Sequence, residues 1–153
     1  MQINEYLLNI KELTKDFIKE NLGELIDFDV MSLPEERGIF FIYKKDSNEL
    51  EYIGSADEAN SNIKDTLSEY LKPEFTQLEF RNKVMHYIYN SINWVENEIG
   101  EEVKNVEQIN KTIEYIKGNY KIRVIVFPSD TELKDIKLIK RACISLENPN
   151  LND

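Results

Sequence analysis

Two short triplets, each with an aromatic residue and a glycine, contain the residue types that could form a functional site, and their spacing in the chain could bring them together. Gly38-Ile39-Phe40 is followed, after eleven residues, by Tyr52-Ile53-Gly54. The intervening Lys45-Asp46-Ser47-Asn48 is typical of a turn, so we expect a hairpin with the two triplets on adjacent strands. The rings of Phe40 and Tyr52 would then meet on one face of the sheet. Tyr52 is either a ligand-binding residue there or an aromatic that packs the hairpin.

Basic side chains in the second half of the chain are candidates for contacts to phosphate groups. They are Arg81, Lys83, Lys137, Lys140 and Arg141. Lysine and arginine form the charge-assisted hydrogen bonds that phosphate recognition requires. For any one of these residues, the competing interpretation is a solvent-exposed face of mixed charge.

The overall charge points away from nucleic acids. The chain has 153 residues, and its 29 acidic residues against 19 basic ones give a formal net charge of −10. Phosphate-dominated binding needs a local excess of lysine and arginine, whereas an acidic surface suits a basic protein partner. No apolar run approaches the roughly 20 residues of a membrane helix, and the acidic start does not resemble a signal peptide. We therefore expect a cytoplasmic protein that does not associate with membranes.

The composition predicts one domain with a hydrophobic core and without a cofactor. Apolar residues make up 41% of the chain, which is enough for a core at this length. The single cysteine, Cys143, is expected to be a small core residue. No cluster of cysteine and histidine has metal-ligand spacing, so the pattern itself predicts no metal.

Hydrophobic periodicity predicts an α+β fold. Strands are expected at Gly38–Lys44, Leu50–Ile53 and Tyr120–Phe127, with a further short strand within 25–31. Helices are expected at about 2–22, 57–71, 76–92, 103–117 and 131–146, the last capped by Ser129 or Asp130. Because strands and helices do not alternate, the order favours a small, mainly antiparallel sheet flanked by helices.

The two triplets, the later strand and helix, and the closing Pro149-Asn150-Leu151-Asn152 together resemble the GIY-YIG nuclease family. That family includes the incision domain of bacterial excision repair, resolving nucleases, homing endonucleases and some restriction enzymes. The resemblance covers residues 33–153 and leaves 1–32 as a helical extension packed on that domain. It implies a three-stranded antiparallel sheet packed between helices, and DNA cleavage that depends on a single divalent metal.

The resemblance also implies which residues would act, and only one of four is retained. Tyr52 matches the tyrosine of the second triplet, whereas Phe40 replaces the tyrosine of the first. Asn62 stands where the family has a phosphate-binding arginine, and Lys140 stands where it has a metal-binding glutamate. Phe40 lacks a hydroxyl, and Asn62 cannot neutralise a phosphate. The ammonium of Lys140 reverses the charge that Mg²⁺ needs beside it.

Three nearby residues could substitute for the lost ones, but their spacing is unfavourable. Glu132 and Asp135 precede Lys140 on the same predicted helix, and Glu132 lies about 12 Å from Lys140 along its axis. Lys64 follows Asn62 by two residues, which points its side chain to a different side of a helix. We therefore expect an inactive site.

The sequence thus predicts a catalytically degenerate GIY-YIG-like domain that acts by binding. The expected partner is a protein, such as a basic nucleic-acid-binding protein whose DNA-facing surface this chain would occupy. One alternative is an active Mg²⁺- or Mn²⁺-dependent DNA endonuclease with a rearranged site. The other is a nucleic-acid-binding module that uses Arg81, Lys83 and the basic cluster at 134–141 despite the global charge.

Overall fold

Five α-helices and one antiparallel sheet form the part of the chain that the computed structural model describes, which is residues 2–74, 78–89 and 99–152. The helices are α1 (Ile3–Asn21), α2 (Ile63–Glu69), α3 (Glu79–Tyr89), α4 (Ile99–Asn119) and α5 (Leu133–Glu147). The strands are β1 (Ile26–Asp27), β2 (Gly38–Lys44), β3 (Leu50–Ala56) and β4 (Tyr120–Val126), and a 3₁₀ turn spans Val30–Ser32. The predicted α+β class is confirmed.

The sheet has one strand more than the three that the GIY-YIG resemblance implies, and the extra strand lies within the short strand expected at 25–31. Its order is β1-β4-β2-β3 and each neighbouring pair is antiparallel, so β2 lies between β3 and β4. The additional strand, β1, contributes only Ile26 and Asp27, which pair with Ile122 and Lys121 of β4. The expected strand at 25–31 is thus confirmed but is shorter than that segment, because only these two residues pair with β4.

Two layers of helices cover the two faces of the sheet. One face carries Phe40, Ile42 and Tyr52, which pack with buried residues of α2, α3 and α4. The other carries Ile39, Phe41, Ile53 and Ile125, which pack with buried residues of α1 and α5. Nearly every side chain of β2 is therefore buried on one face or the other, which explains its uninterrupted apolar sequence.

Residues before Leu33 are joined to the rest of the chain by side-chain packing and backbone hydrogen bonds. The rings of Phe17 and Phe127 stack with their centroids 6.1 Å apart, and Ile18 is buried against the residues of α5. The Gly23 N–H donates to the Val124 carbonyl at 2.9 Å, and Arg123 Nε donates to the Gly23 carbonyl at 2.7 Å. These contacts place α1 against β4 and α5.

Several helix starts differ from the sequence prediction, among them that of α4, which begins at Ile99 where residue 103 was expected. The helix expected from residue 57 begins at Ile63, because β3 continues through Ala56 and Asn62 forms the N-cap. The last helix has Glu132 at its N-cap position, without a capping side-chain bond, so the predicted caps at Ser129 or Asp130 are wrong. The helix expected at 76–92 is seen at 79–89, and the remainder of that prediction lies partly outside the described residues.

Candidate functional site

The two triplets meet as the hairpin predicts. Phe40 pairs with Gly54 and Ile42 pairs with Tyr52, which puts the rings of Phe40 and Tyr52 on the same face of the sheet. A Cβ atom at Gly54 would lie 2.4 Å from two carbons of the Phe40 ring and 3.0 Å from Tyr52 Cε2. Glycine is thus required at this position because the Phe40 ring crosses directly over its backbone.

Tyr52 is buried among aromatic rings and keeps its proton. Its ring lies 5.4 Å from that of Phe80, and its hydroxyl donates to Glu79 Oε2 at 3.4 Å. Burial, followed by the negative charge of Glu79, raises the pKa of Tyr52 above its ordinary value, while a hydrogen bond with Tyr70 acts in the opposite direction. A phenol with a raised pKa can donate a proton or a hydrogen bond, but it does not act as a base near neutral pH.

The carboxylate beside Tyr52 comes from α3 and not from the last helix. Lys83 holds it in place, since its Nζ lies 3.1 Å from Glu79 Oε1 and 2.6 Å from the Leu151 carbonyl oxygen. Lys83, a candidate for phosphate contact, is thus engaged with the closing segment of the chain. Sequence reasoning missed Glu79, although its i,i+4 spacing to Lys83 is a recognisable signal of a helical ion pair.

Lys140 lies on the opposite side of β3 from Tyr52. Its Nζ is 3.6 Å from Asp57 Oδ2, and the same oxygen accepts a 2.5 Å hydrogen bond from Ser55 Oγ. Side chains along a strand point alternately to its two faces. Ser55 and Asp57 therefore lie on the same face as Ile53, which packs against α5, and Tyr52 lies on the other. The residues therefore do not fit a divalent metal, because the nearby carboxylate is already paired with an ammonium group.

Asn62 serves as a helix cap. Its Oδ1 accepts from the Asp65 N–H at 2.7 Å and its Nδ2 donates to Asp65 Oδ2 at 2.9 Å, so both of its polar atoms are used locally. Lys64, the substitute for the missing arginine, instead contacts Glu35 at 3.3 Å.

A cavity of about 310 Å³ opens at Asn62. Its lining consists of Glu35, Glu36, Arg37, Asn60, Ser61, Asn62, Phe127 and Ser129. Arg37, the basic residue among the described residues of this lining, donates through Nη1 to the Thr131 carbonyl at 3.3 Å. Two glutamates thus line the place where the family resemblance would put a phosphate.

Arg81 is fully buried, contrary to its prediction as part of a phosphate-contacting surface. Its Nη1 donates to the carbonyl oxygens of Glu69, Tyr70 and Lys72 at 3.3, 3.2 and 2.8 Å, which caps the end of α2. Burial lowers the pKa of this guanidinium, against an opposing effect of Glu74. No local pattern around Arg81 in the sequence indicates that its side chain would cap the end of another helix.

The remaining candidates lie on the outside of α5. Lys137 and Arg141 are exposed, and so is Asp135. Glu132 is exposed and pairs with Lys134 at 3.2 Å. Within the ranges that the structure describes, no three acidic, histidine or cysteine side chains are grouped closely enough to hold a metal ion.

The closing Pro149-Asn150-Leu151-Asn152 completes the outer edge of β3. The Ile53 N–H donates to Asn152 Oδ1 at 2.7 Å, and Asn152 Nδ2 donates to the Ile53 carbonyl at 2.9 Å. The Leu151 N–H donates to the Glu51 carbonyl at 2.8 Å. Asn152 thus pairs with the backbone of an edge strand in the way a neighbouring strand would.

Comparison of this chain with protein-family models, with curated proteins and with solved structures finds no match. The resemblance to the GIY-YIG family accordingly stays a prediction from the residues quoted above. Among the described helices, none combines the length and the apolar character needed to cross a membrane.

Proposed function

We propose that this chain is a GIY-YIG-like domain without nuclease activity, which acts by binding a protein with a basic surface. The observation that carries the proposal is the cavity at Asn62, which is lined by Glu35 and Glu36. In a nuclease of this family the corresponding place would attract a phosphate. Glu35 and Glu36 offset the positive charges of Arg37 and Lys64 there, so the cavity lacks the excess of positive charge that a phosphate requires, and its carboxylates can pair with lysine or arginine side chains.

The acidic character extends along the chain that leads into this cavity. Residues 24–36 contain five acidic residues and no basic one, and all five are exposed: Glu24, Asp27, Asp29, Glu35 and Glu36. This acidic segment runs from the edge strand β1 to the start of the central strand β2. Within the described ranges, Asp27 and Glu35 are the two that contact a lysine, at 3.9 and 3.3 Å, and all five carboxylates are exposed to solvent.

The positions that resemble the family's catalytic residues support the same proposal. Phe40 is a core residue, Asn62 caps a helix and Lys140 is paired with Asp57. Each of these side chains already has a structural partner, and Tyr52 lies on a different face from Lys140. An arrangement of this kind offers no shared point at which a phosphate, a metal and an activated water could meet.

Fluorescence anisotropy can test the proposal with a labelled peptide rich in lysine and arginine and a labelled DNA duplex. We expect the peptide to bind with an affinity that falls as salt is raised, and the duplex not to bind at micromolar protein. Glu35→Gln combined with Glu36→Gln should weaken peptide binding several-fold. Glu12→Gln combined with Glu20→Gln removes the same amount of charge from exposed sites on α1. This control should change the affinity for the peptide much less. Micromolar duplex binding would contradict the proposal.

One observation favours the nucleic-acid-binding alternative. Lys134, Lys137 and Arg141 recur at helical spacing and are exposed on one side of α5, where they could contact a phosphate backbone. Salt-dependent DNA binding that is weakened by Lys137→Glu and Lys140→Glu would establish that function instead. Cleavage of branched or nicked DNA that requires Mg²⁺ or Mn²⁺, and that is lost in EDTA and in Tyr52→Phe, would establish an endonuclease.

A further inference from the structure

The first half of α1 exposes a continuous apolar stripe. Ile3, Tyr6, Leu7, Ile10 and Leu13 are 76%, 57%, 47%, 38% and 69% exposed. At 3.6 residues per turn these side chains lie on one side of the helix. Isolated exposed apolar residues are common, but five in one stripe form the kind of patch that marks an interface.

The stripe continues a surface that is buried further along the same helix. Phe17 and Ile18, which follow Leu13 on the same side, pack against Phe127 and the buried residues of α5. The last turns of α1 are therefore held by the body of the domain, whereas residues 3–13 carry the same apolar face without a cover among the described residues. Helix formation in water is marginal at this length without tertiary packing, so the exposed turns need a partner surface.

We propose that this stripe pairs with the same stripe of a second copy of the chain, with the two helices antiparallel. If Ile3 lies opposite Leu13 of the second copy, Tyr6 lies opposite Ile10, and Leu7 lies beside the two-fold axis. Every large residue of the stripe then meets an apolar residue, and the same patch is used on both copies, as a two-fold interface requires. This inference does not depend on the proposed function.

The residues that flank the stripe favour a copy of the chain over other occupants. Gln2 and Asn9 lie on one side, and Asn4 and Lys11 lie on the other, so the flanks are nearly uncharged. A charged protein partner would be selected by complementary charges at these positions. An anionic membrane would require several basic residues there. Uncharged flanks instead allow two identical helices to approach without like-charge repulsion.

The size of the stripe and the distance between the two domains are compatible with this pairing. The exposed side chains would bury roughly 500 Å² on each copy, or about 1,000 Å² together, which is the lower range for a specific interface. In the proposed register, the two Phe17 residues would be about 27 Å apart along the helix axis. This exceeds two Debye lengths at physiological salt, so the net charge of −10 on each copy is largely screened.

Sedimentation velocity at about 1 to 200 μM protein tests the proposal, because an interface at the lower end of the size range is expected to be weak and reversible. We expect a concentration-dependent monomer–dimer equilibrium for the wild type, and dimerisation weakened at least tenfold in Leu7→Glu. Leu8→Glu is the matched control, since Leu8 is 56% exposed on the opposite side of the helix and its substitution should leave the dimer intact. A cooperative thermal transition should show that both variants stay folded, and far-UV circular dichroism of monomeric Leu7→Glu should show at most the loss of the helical signal of residues 3–13.

Disulfide formation tests the orientation of the helices. A mixture of Ile3→Cys and Leu13→Cys chains should yield cross-linked heterodimers, whereas Ile3→Cys alone should not cross-link, and the native Cys143 is buried. Cross-linking of Ile3→Cys with itself would indicate parallel helices and overturn the arrangement. A wild type that is monomeric throughout the concentration range would overturn the proposal, as would equal dimerisation of Leu7→Glu and Leu8→Glu. Binding of the monomer to phosphatidylcholine vesicles through Leu7 would assign the stripe to lipid instead and equally refute it.

Discussion

Replacement of Gly54 by alanine tests whether packing couples the two triplets. The new Cβ would lie 2.4 Å from Cε2 and Cζ of Phe40, where ordinary van der Waals contact begins at 3.4 Å. The Phe40 ring is 1% exposed and makes an edge contact with Tyr70 at a centroid distance of 6.1 Å, so little free space surrounds it. The ring must therefore shift by about 1 Å, with strain passed to its neighbours.

The expected cost follows from two opposing effects. Overpacking a filled core costs about 1–3 kcal/mol. The lower backbone entropy of alanine in the unfolded chain offsets about 0.5–1 kcal/mol of this cost. The midpoints of these two ranges leave a net loss of about 1 kcal/mol, which for a chain of this length lowers the melting temperature by roughly 2–4 °C.

Thermal and urea unfolding, followed by circular dichroism, measures this loss, and Gly118→Ala provides the control. Gly118 lies in α4, and a Cβ atom there would meet nothing within 4 Å. The same substitution should therefore stabilise the protein, by up to about 1 kcal/mol, because alanine is the better helix former. The two variants are expected to shift the melting temperature in opposite directions.

A double-mutant cycle shows whether the cost arises from the contact with Phe40. Leucine at residue 40 is shorter than phenylalanine, so Gly54→Ala should cost about 1 kcal/mol less in a Phe40→Leu background. The reasoning would be refuted if Gly54→Ala were as stable as the wild type. An unchanged cost in the Phe40→Leu background would refute it as well.

Three further substitutions or titrations test other contacts. Asn152→Ala removes both hydrogen bonds to the Ile53 backbone and should lower the free energy of unfolding by about 1–3 kcal/mol, as measured in urea. Lys140→Glu, which restores the family's residue type, should place two carboxylates together at Asp57, lower the melting temperature and yield no Mg²⁺-dependent cleavage of branched DNA. Tyr52 should stay protonated at pH 10 in an absorbance titration at ~295 nm, where a free phenol is half ionised. Since its folded-state pKa is raised, its contribution to stability is present below pH 10 and is lost as the pH rises toward that pKa.

Much of the local structure could be predicted from the sequence because its signals are short-range. The bounds of β2 agree with the prediction, and β4 ends one residue earlier than expected. Both strands are dense in β-branched and aromatic residues and end at turn-forming residues. The start of α2 was less well predicted. The residues from 57 onward fit a helix, but they fit a strand end followed by a loop and the cap at Asn62 equally well.

The candidate site could be predicted only in part. That Phe40 and Tyr52 share a face follows from the period of two in adjacent strands. The partners of Lys140 and Arg81 do not follow from any local pattern. Lys140 is paired with Asp57, which is 83 residues away in the chain, and Arg81 of α3 is buried against the carbonyl groups at the end of a different helix, α2.

The sequence by itself determined the α+β class and the central hairpin, whereas the GIY-YIG resemblance and the three altered positions that it implies stay predictions. Only the tertiary structure decided that Lys140 lies on the opposite side of β3 from Tyr52, and that Glu79 of α3 is the carboxylate beside Tyr52. The physical reason is that residue spacing specifies the face of a strand or helix, but not which distant element packs on that face. That choice depends on the fit of the two apolar layers on either side of the sheet, to which residues from the whole chain contribute.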